Sequence, residues 1–135
     1  MTNRFNFRMW CIDFETRKYT MKKAYITDCE ETPFTDGDGA YYSSKDIELM
    51  QCTGLKDKNG KDIYEGDLIK MGDNPAEIVI WCDKCACYET INKQDWNRFK
   101  NGEPLDCHCE LGYAGLENNM LENIKIVGNI YETNK

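Results

Sequence analysis

Thr53-Gly54-Leu55-Lys56-Asp57-Lys58-Asn59-Gly60-Lys61-Asp62-Ile63-Tyr64-Glu65-Gly66-Asp67-Leu68-Ile69-Lys70 is the most regularly punctuated stretch of the chain. Asn59-Gly60 takes positive φ at little steric cost, the chemistry of a tight turn between extended segments. Gly66-Asp67 makes a second corner, where the Asp67 carboxylate is placed to accept from backbone amides. Leu68-Ile69-Lys70-Met71 is the strand that this corner feeds. Asp57-Lys58-Asn59-Gly60 looks briefly like a calcium loop, but its glycine comes fourth rather than sixth and no terminal glutamate fits.

Outward from this stretch the pattern repeats. Gly72-Asp73-Asn74-Pro75 reads as a turn and Ala76 to Trp81 as a strand. Upstream, Phe5, Phe7, Met9 and Cys11 alternate along residues 4–12, the period of a half-buried strand. Tyr19 to Asp28 reads as its returning partner, Cys29 to Lys45 as an acidic, turn-rich loop, and Glu48 to Cys52 as a short strand. Ile124 to Glu132 is a closing strand. One helix is expected, capped by Asn92, with Trp96 and Phe99 three apart and Gly102 then Pro104 as its stop. Short strands joined by glycine turns predict a mainly β chain, a small barrel or sandwich.

Length and composition set the bounds. With 135 residues, 41% hydrophobic and 30% charged, the chain fits one globular domain spanning 1–135. Its apolar runs, such as Glu77-Ile78-Val79-Ile80-Trp81, are far shorter than the roughly 18 residues a bilayer span needs. The opening residues hold no apolar signal region, so the expected location is the cytoplasm. A net charge of −7 disfavours general nucleic-acid binding. The densest basic cluster, Arg17-Lys18 and Lys22-Lys23, is interrupted by Tyr19 and Met21.

Eight cysteines are many for such a chain, and five fall between Cys82 and Cys109. Clustered thiols without a secretion signal read as metal ligands rather than disulfides. Cys82-Asp83-Lys84-Cys85-Ala86-Cys87 and Cys107-His108-Cys109 are two knuckles separated by about twenty residues, the arrangement that lets zinc collect four tetrahedral ligands. The expected set is Cys82, Cys85, Cys107 and Cys109, with Cys87 or His108 as alternates, around a structural zinc. The bland alternative is a set of reduced, half-buried thiols. A redox pair of Cys82 and Cys85 lacks its usual βαβ setting.

No catalytic grouping stands out. His108 is the single histidine, and the two serines, Ser43 and Ser44, lie far from it in sequence. No phosphate-binding loop is present. Tyr41-Tyr42 is either an exposed contact surface or strand-edge cover for the core. Trp10, Trp81 and Trp96 are read as core.

The run Leu49 to Ile69, containing Gly54-Leu55-Lys56-Asp57-Lys58-Asn59-Gly60 and Glu65-Gly66-Asp67, resembles the signature of the YopX family of phage and prophage proteins. Arg4-Phe5 to Trp10 resembles that family's first strand, and Val127-Gly128-Asn129-Ile130-Tyr131-Glu132 its ending. The resemblance implies a β-rich fold similar to an SH3 barrel and a phage or prophage origin, and it brings no activity, cofactor or catalytic residue. Residues 82–123 depart from the family pattern as a cysteine-rich insert carrying the helix. Function is accordingly expected to be non-enzymatic, through contact with a host or phage protein or a second copy. The rivals are a metal-dependent hydrolase or nucleic-acid-modifying enzyme using Glu89, Asp106 or Glu110, and a small-barrel nucleic-acid binder.

Overall fold

The computed structural model describes residues 6–83, 86–103 and 123–132. Two compact units form, one of Asn3–Cys52 and one of Thr53–Lys135. The chain is mainly β, with two antiparallel sheets and a single α-helix among the described residues. No helix among these residues is long and apolar enough to cross a membrane.

In the first unit the strands are β1 (Phe7–Ile12), β2 (Tyr19–Ile26), β3 (Phe34–Thr35), β4 (Tyr41–Tyr42) and the first half of β5 (Glu48–Lys56). They stand in the order β4-β3-β2-β1-β5. The register pairs Met9 with Lys22 and Cys11 with Thr20, so the alternation read in the sequence holds and Met9 and Cys11 are fully buried. Ala24, Tyr42 and Ile47 complete that core, with Phe7 and Phe34 packed against it.

The segment expected to be one loop, Cys29 to Lys45, contributes β3 and β4. Two-residue strands carry too little alternation to be legible; here Phe34 pairs with Ile26 and with Tyr42. The Tyr41-Tyr42 pair splits as strand geometry requires: Tyr42 is buried at 3% exposure and Tyr41 is open at 54%. The Tyr42 hydroxyl donates to the Ile12 carbonyl at 2.7 Å.

The second unit begins with the rest of β5, beside β6 (Asp62–Tyr64). The Asn59-Gly60 turn joins them, with Gly60 at φ 80°. Thr53 donates its hydroxyl to the Ile63 carbonyl at 2.8 Å. The corner at Gly66, φ 85°, leads into β7 (Asp67–Met71). Asp67 is 1% exposed, and its carboxylate accepts from the Tyr64 amide at 2.8 Å, as the sequence suggested. The sheet order is β10-β7-β8-β9, with β8 at Glu77–Cys82, β9 at Cys87–Ile91 and β10 at Ile124–Asn129. Its two faces are separately covered: Ile63, Ile69, Val79 and Ile124 form one apolar cluster, and Leu68, Ile78, Ile80 and Ile91 another.

β9 was not anticipated. Its Cys-Tyr-Glu-Thr-Ile sequence alternates weakly, yet Glu89 and Ile91 are buried because β8 lies beside it. The helix α1, Lys93–Lys100, follows as expected: the Asn92 side chain accepts from the Asp95 amide, and Gly102 at φ 76° ends it. Trp96 stacks on Phe99 and packs on the Ile78 cluster. Trp81, read as core, is 37% exposed and meets Tyr88 edge-on across the hairpin.

Candidate functional site

The cysteine-rich region starts as a hairpin. β8 and β9 pair antiparallel from Ile78↔Ile91 to Cys82↔Cys87, so the two cysteines are the last cross-strand pair before the turn. Residues paired across a sheet share a face, which places Cys82 and Cys87 on the same side as Ile78, Ile80 and Glu89. Both thiols are half-buried and neither is in a disulfide. The turn closes through Ala86 at φ 52°, a left-handed position that an L-residue rarely takes outside a constrained loop. Burial pushes the Cys87 thiol up, and the neighbouring Cys82 and Glu89 push it the same way. A bound cation would reverse that balance, since metal coordination deprotonates a thiol.

Of the expected ligands, Cys82 is brought opposite the alternate Cys87. Cys85, Cys107, Cys109 and His108 lie outside the described residues, as do Asp106 and Glu110. Among the described residues no three side chains of metal-binding type come together. Glu89 is 5% exposed on the face of the cysteine pair.

The isolated cysteines separate by environment. Cys11 and Cys52 are fully buried. Burial drives the Cys11 thiol up, against a smaller opposing effect of its Tyr42 contact. Cys29 is exposed and its thiol is held low, first by the Thr32 hydroxyl, which donates to sulfur at 3.2 Å, and then by the Thr32 and Glu31 amides. Nothing in the sequence pattern signalled this, because the donors depend on the turn that also joins the Thr27 amide to the Pro33 carbonyl.

A second feature lies on the first unit. Tyr19, Met21, Lys23 and Tyr25 alternate along β2; Arg8, Trp10 and Ile12 pair with them from β1, and Thr35 leads on to Tyr41. These positions face away from Met9, Cys11 and Ala24. Tyr19 is 61% exposed and Tyr25 46%. Trp10 stacks on Tyr19 with centroids 6.2 Å apart, and the Lys23 ammonium sits 5.6 Å from the Tyr25 ring centre. Gly37 backs the Tyr25 ring so closely that an added Cβ would lie 3.2 Å from it.

On the opposite face Lys22 bridges Asp36 at 2.9 Å and Asp13 at 3.4 Å. The Asp36 bond raises the Lys22 ammonium well above the lysine range despite burial. Those two carboxylates are thereby paired on the far side of the sheet, and the charged residues that the register puts on the aromatic face are Arg8 and Lys23, with Glu48 opposite Trp10 at its β5 edge.

Residues 6–135 match the pattern of the YopX protein family. The chain belongs to that family. This family member is also similar to the crystal structure of protein EF1440 from Enterococcus faecalis, at 19% identity over 94% of this chain and 93% of that one, with a TM-score of 0.44. No curated protein matches it. The matched range covers the cysteine-rich region as well as the signature around Gly54 to Gly66.

Proposed function

We propose that this YopX family member is a phage- or prophage-encoded accessory protein that acts without catalysis, by binding another protein through the open aromatic face of its first unit. Membership of the family suggests a phage-associated protein. The observation that carries the binding reading is the set Trp10, Tyr19, Tyr25 and Tyr41 on one side of a single sheet, with three of the four substantially exposed. Tyrosine and tryptophan supply large contact areas at low entropic cost and dominate protein interfaces. Arg8 and Lys23 add positive charge at that face against a single carboxylate, Glu48, at its edge, which suits a partner whose contact surface is apolar and carries acidic groups.

The same proposal gives the cysteine-rich region a structural zinc ion, held by Cys82, Cys85, Cys107 and Cys109 with Cys87 or His108 able to take a place. The facing of Cys82 and Cys87 at the end of one hairpin, half-buried and reduced, supports it. Zinc bound by four protein ligands would hold the region in one conformation and leave no open position for water.

Photo-cross-linking from position 23, on the same face, in the infected or lysogenic host, followed by recovery with purified components, tests the binding face. A partner captured by the wild-type chain and lost in Tyr19→Ser/Tyr25→Ser/Tyr41→Ser supports the reading. Equal capture by the triple variant overturns it, and concentration-dependent self-association lost in that variant would make the partner a second copy. Metal analysis of the purified chain tests the zinc: four thiolate or imidazole ligands support a structural ion, whereas three plus water favour a hydrolytic centre with Glu89 nearby.

A further inference from the structure

In the second unit β7 and β10 run antiparallel with Lys70 directly opposite Lys125, both exposed. Like charges facing each other across a sheet repel and work against the fold. A third lysine is brought to the same place by backbone bonds. The Lys58 amide donates to the Ile124 carbonyl at 2.9 Å, and the neighbouring Asp57 carboxylate accepts from the Ile126 amide at 3.1 Å. The turn carrying Lys58 is therefore fastened to β10 rather than free to swing away.

These three lysines line an open recess of about 530 Å3, together with Met71, Gly72 and Val127. Its described lining holds no carboxylate, although acidic residues outnumber basic ones 24 to 17 in the chain. Two lysines elsewhere do find carboxylates, Lys56 with Asp62 at 2.8 Å and Lys22 with two aspartates. None of Lys58, Lys70 and Lys125 makes an ion pair with a described residue.

We propose that this recess binds a small molecule carrying two or three linked phosphates, of the size of a nucleoside di- or triphosphate. Each ammonium offers three donors and no acceptor, so the complement of three convergent ammoniums is a group with several anionic oxygens. The three lysines come from a turn and two strands, and two or three linked phosphates offer more anionic oxygens to them than one phosphate does. The recess falls within the volume range of small-molecule sites, roughly 300–1,000 Å3. Exposed Val127 and half-buried Met71 offer an apolar seat for the uncharged part of the ligand. No aromatic ring is present in the described lining to read a base, so ATP and GTP bind alike. A long polyanion meets the repulsion of the whole chain, at −7, whereas a compact ligand is governed by charges within about one Debye length, roughly 8 Å.

Titration calorimetry of the full chain with ATP, GTP, inorganic triphosphate, inorganic phosphate and a short single-stranded oligonucleotide tests the assignment. ATP, GTP and triphosphate bind with similar, salt-sensitive affinity, and inorganic phosphate binds about tenfold more weakly or worse. Lys70→Gln/Lys125→Gln loses about tenfold per lysine, while Lys93→Gln, on the helix, changes nothing. The double variant melts at or above the wild-type temperature because the repulsion is gone. Absence of saturable triphosphate binding, or binding unchanged in the double variant, overturns the proposal. A lowered melting temperature overturns it too, since the lysines would then serve the fold. An oligonucleotide that binds more tightly than ATP, with loss in the same variant, replaces the small ligand by nucleic acid.

Discussion

Replacing Asp57 by asparagine tests how the β5–β6 turn is held to the last strand. Asp57 is 5% exposed; one carboxylate oxygen accepts from the Asn59 and Lys61 amides, each at 2.9 Å, and the other from Ile126 at 3.1 Å. Asparagine can keep the first pair of bonds through its carbonyl oxygen, but its NH2 then faces the Ile126 N–H, donor against donor. The substitution removes a bond to a charged acceptor and leaves a buried amide unsatisfied, a loss of about 2–4 kcal/mol. With a urea slope of roughly 2 kcal/mol per molar, the unfolding midpoint falls by about 1–2 M. Burial raises the Asp57 pKa, but the amides of Ile126, Lys61 and Asn59 together outweigh it and hold the carboxyl below its ordinary value. Its contribution is thus complete above the unfolded aspartate pKa of about 3.9 and disappears as the pH falls through the lower folded value. Wild type and Asp57→Asn therefore differ fully at pH 7 and converge in acid, and the Ile126 amide exchanges faster in the variant. Midpoints within about 0.3 M of each other at neutral pH would refute the reasoning, as would a difference that does not change with pH.

Three further outcomes are expected. Gly66→Ala forces an L-residue to φ 85° at a corner whose amide bonds Val79 and whose carbonyl accepts from Ile130, so it loses about 1–2 kcal/mol, measurable as a lower melting temperature. Asn92→Ala removes the 2.8 Å acceptor for the Asp95 amide and costs about 1 kcal/mol, confined to α1, which hydrogen exchange at Asp95 reports. Lys22→Met strands the nearly buried Asp36 carboxylate and lowers stability at neutral pH. Burial opposes ionisation of Asp36, yet Lys22 and the Asp38 and Ala40 amides hold its pKa down. The Lys22→Met penalty therefore shrinks as the pH drops below about 3.9, which acid-range melting curves check.

The turns and the helix were legible because their chemistry is local. Asn59-Gly60, Gly66-Asp67 and the Asn92 cap each act on amides within a few residues, and the structure places all three as read. β1 was legible because alternation over six residues names a buried face, and Met9 and Cys11 occupy it. β3, β4 and β9 were not legible. Their residues are strand-forming only because a neighbouring strand supplies partners, as Ile26 does for Phe34 and β8 does for the chain after Cys87.

The candidate sites divide in the same way. Cysteine spacing alone nominated the Cys82 to Cys109 region, but the opposition of Cys82 to Cys87 comes from the register of a hairpin. The aromatic face needs residues from β1, β2 and β4, spread over more than thirty positions, to share one side of a sheet. The three-lysine recess is more distant still, since Lys58 and Lys125 meet only when Ile124 accepts from the turn. Turn types, the periodic strands, the helix cap and the family are properties of contiguous residues, so the amino-acid order by itself determined them. Which faces stay open, and which like charges are held together, depends on pairing between distant segments, and that only the tertiary structure decided.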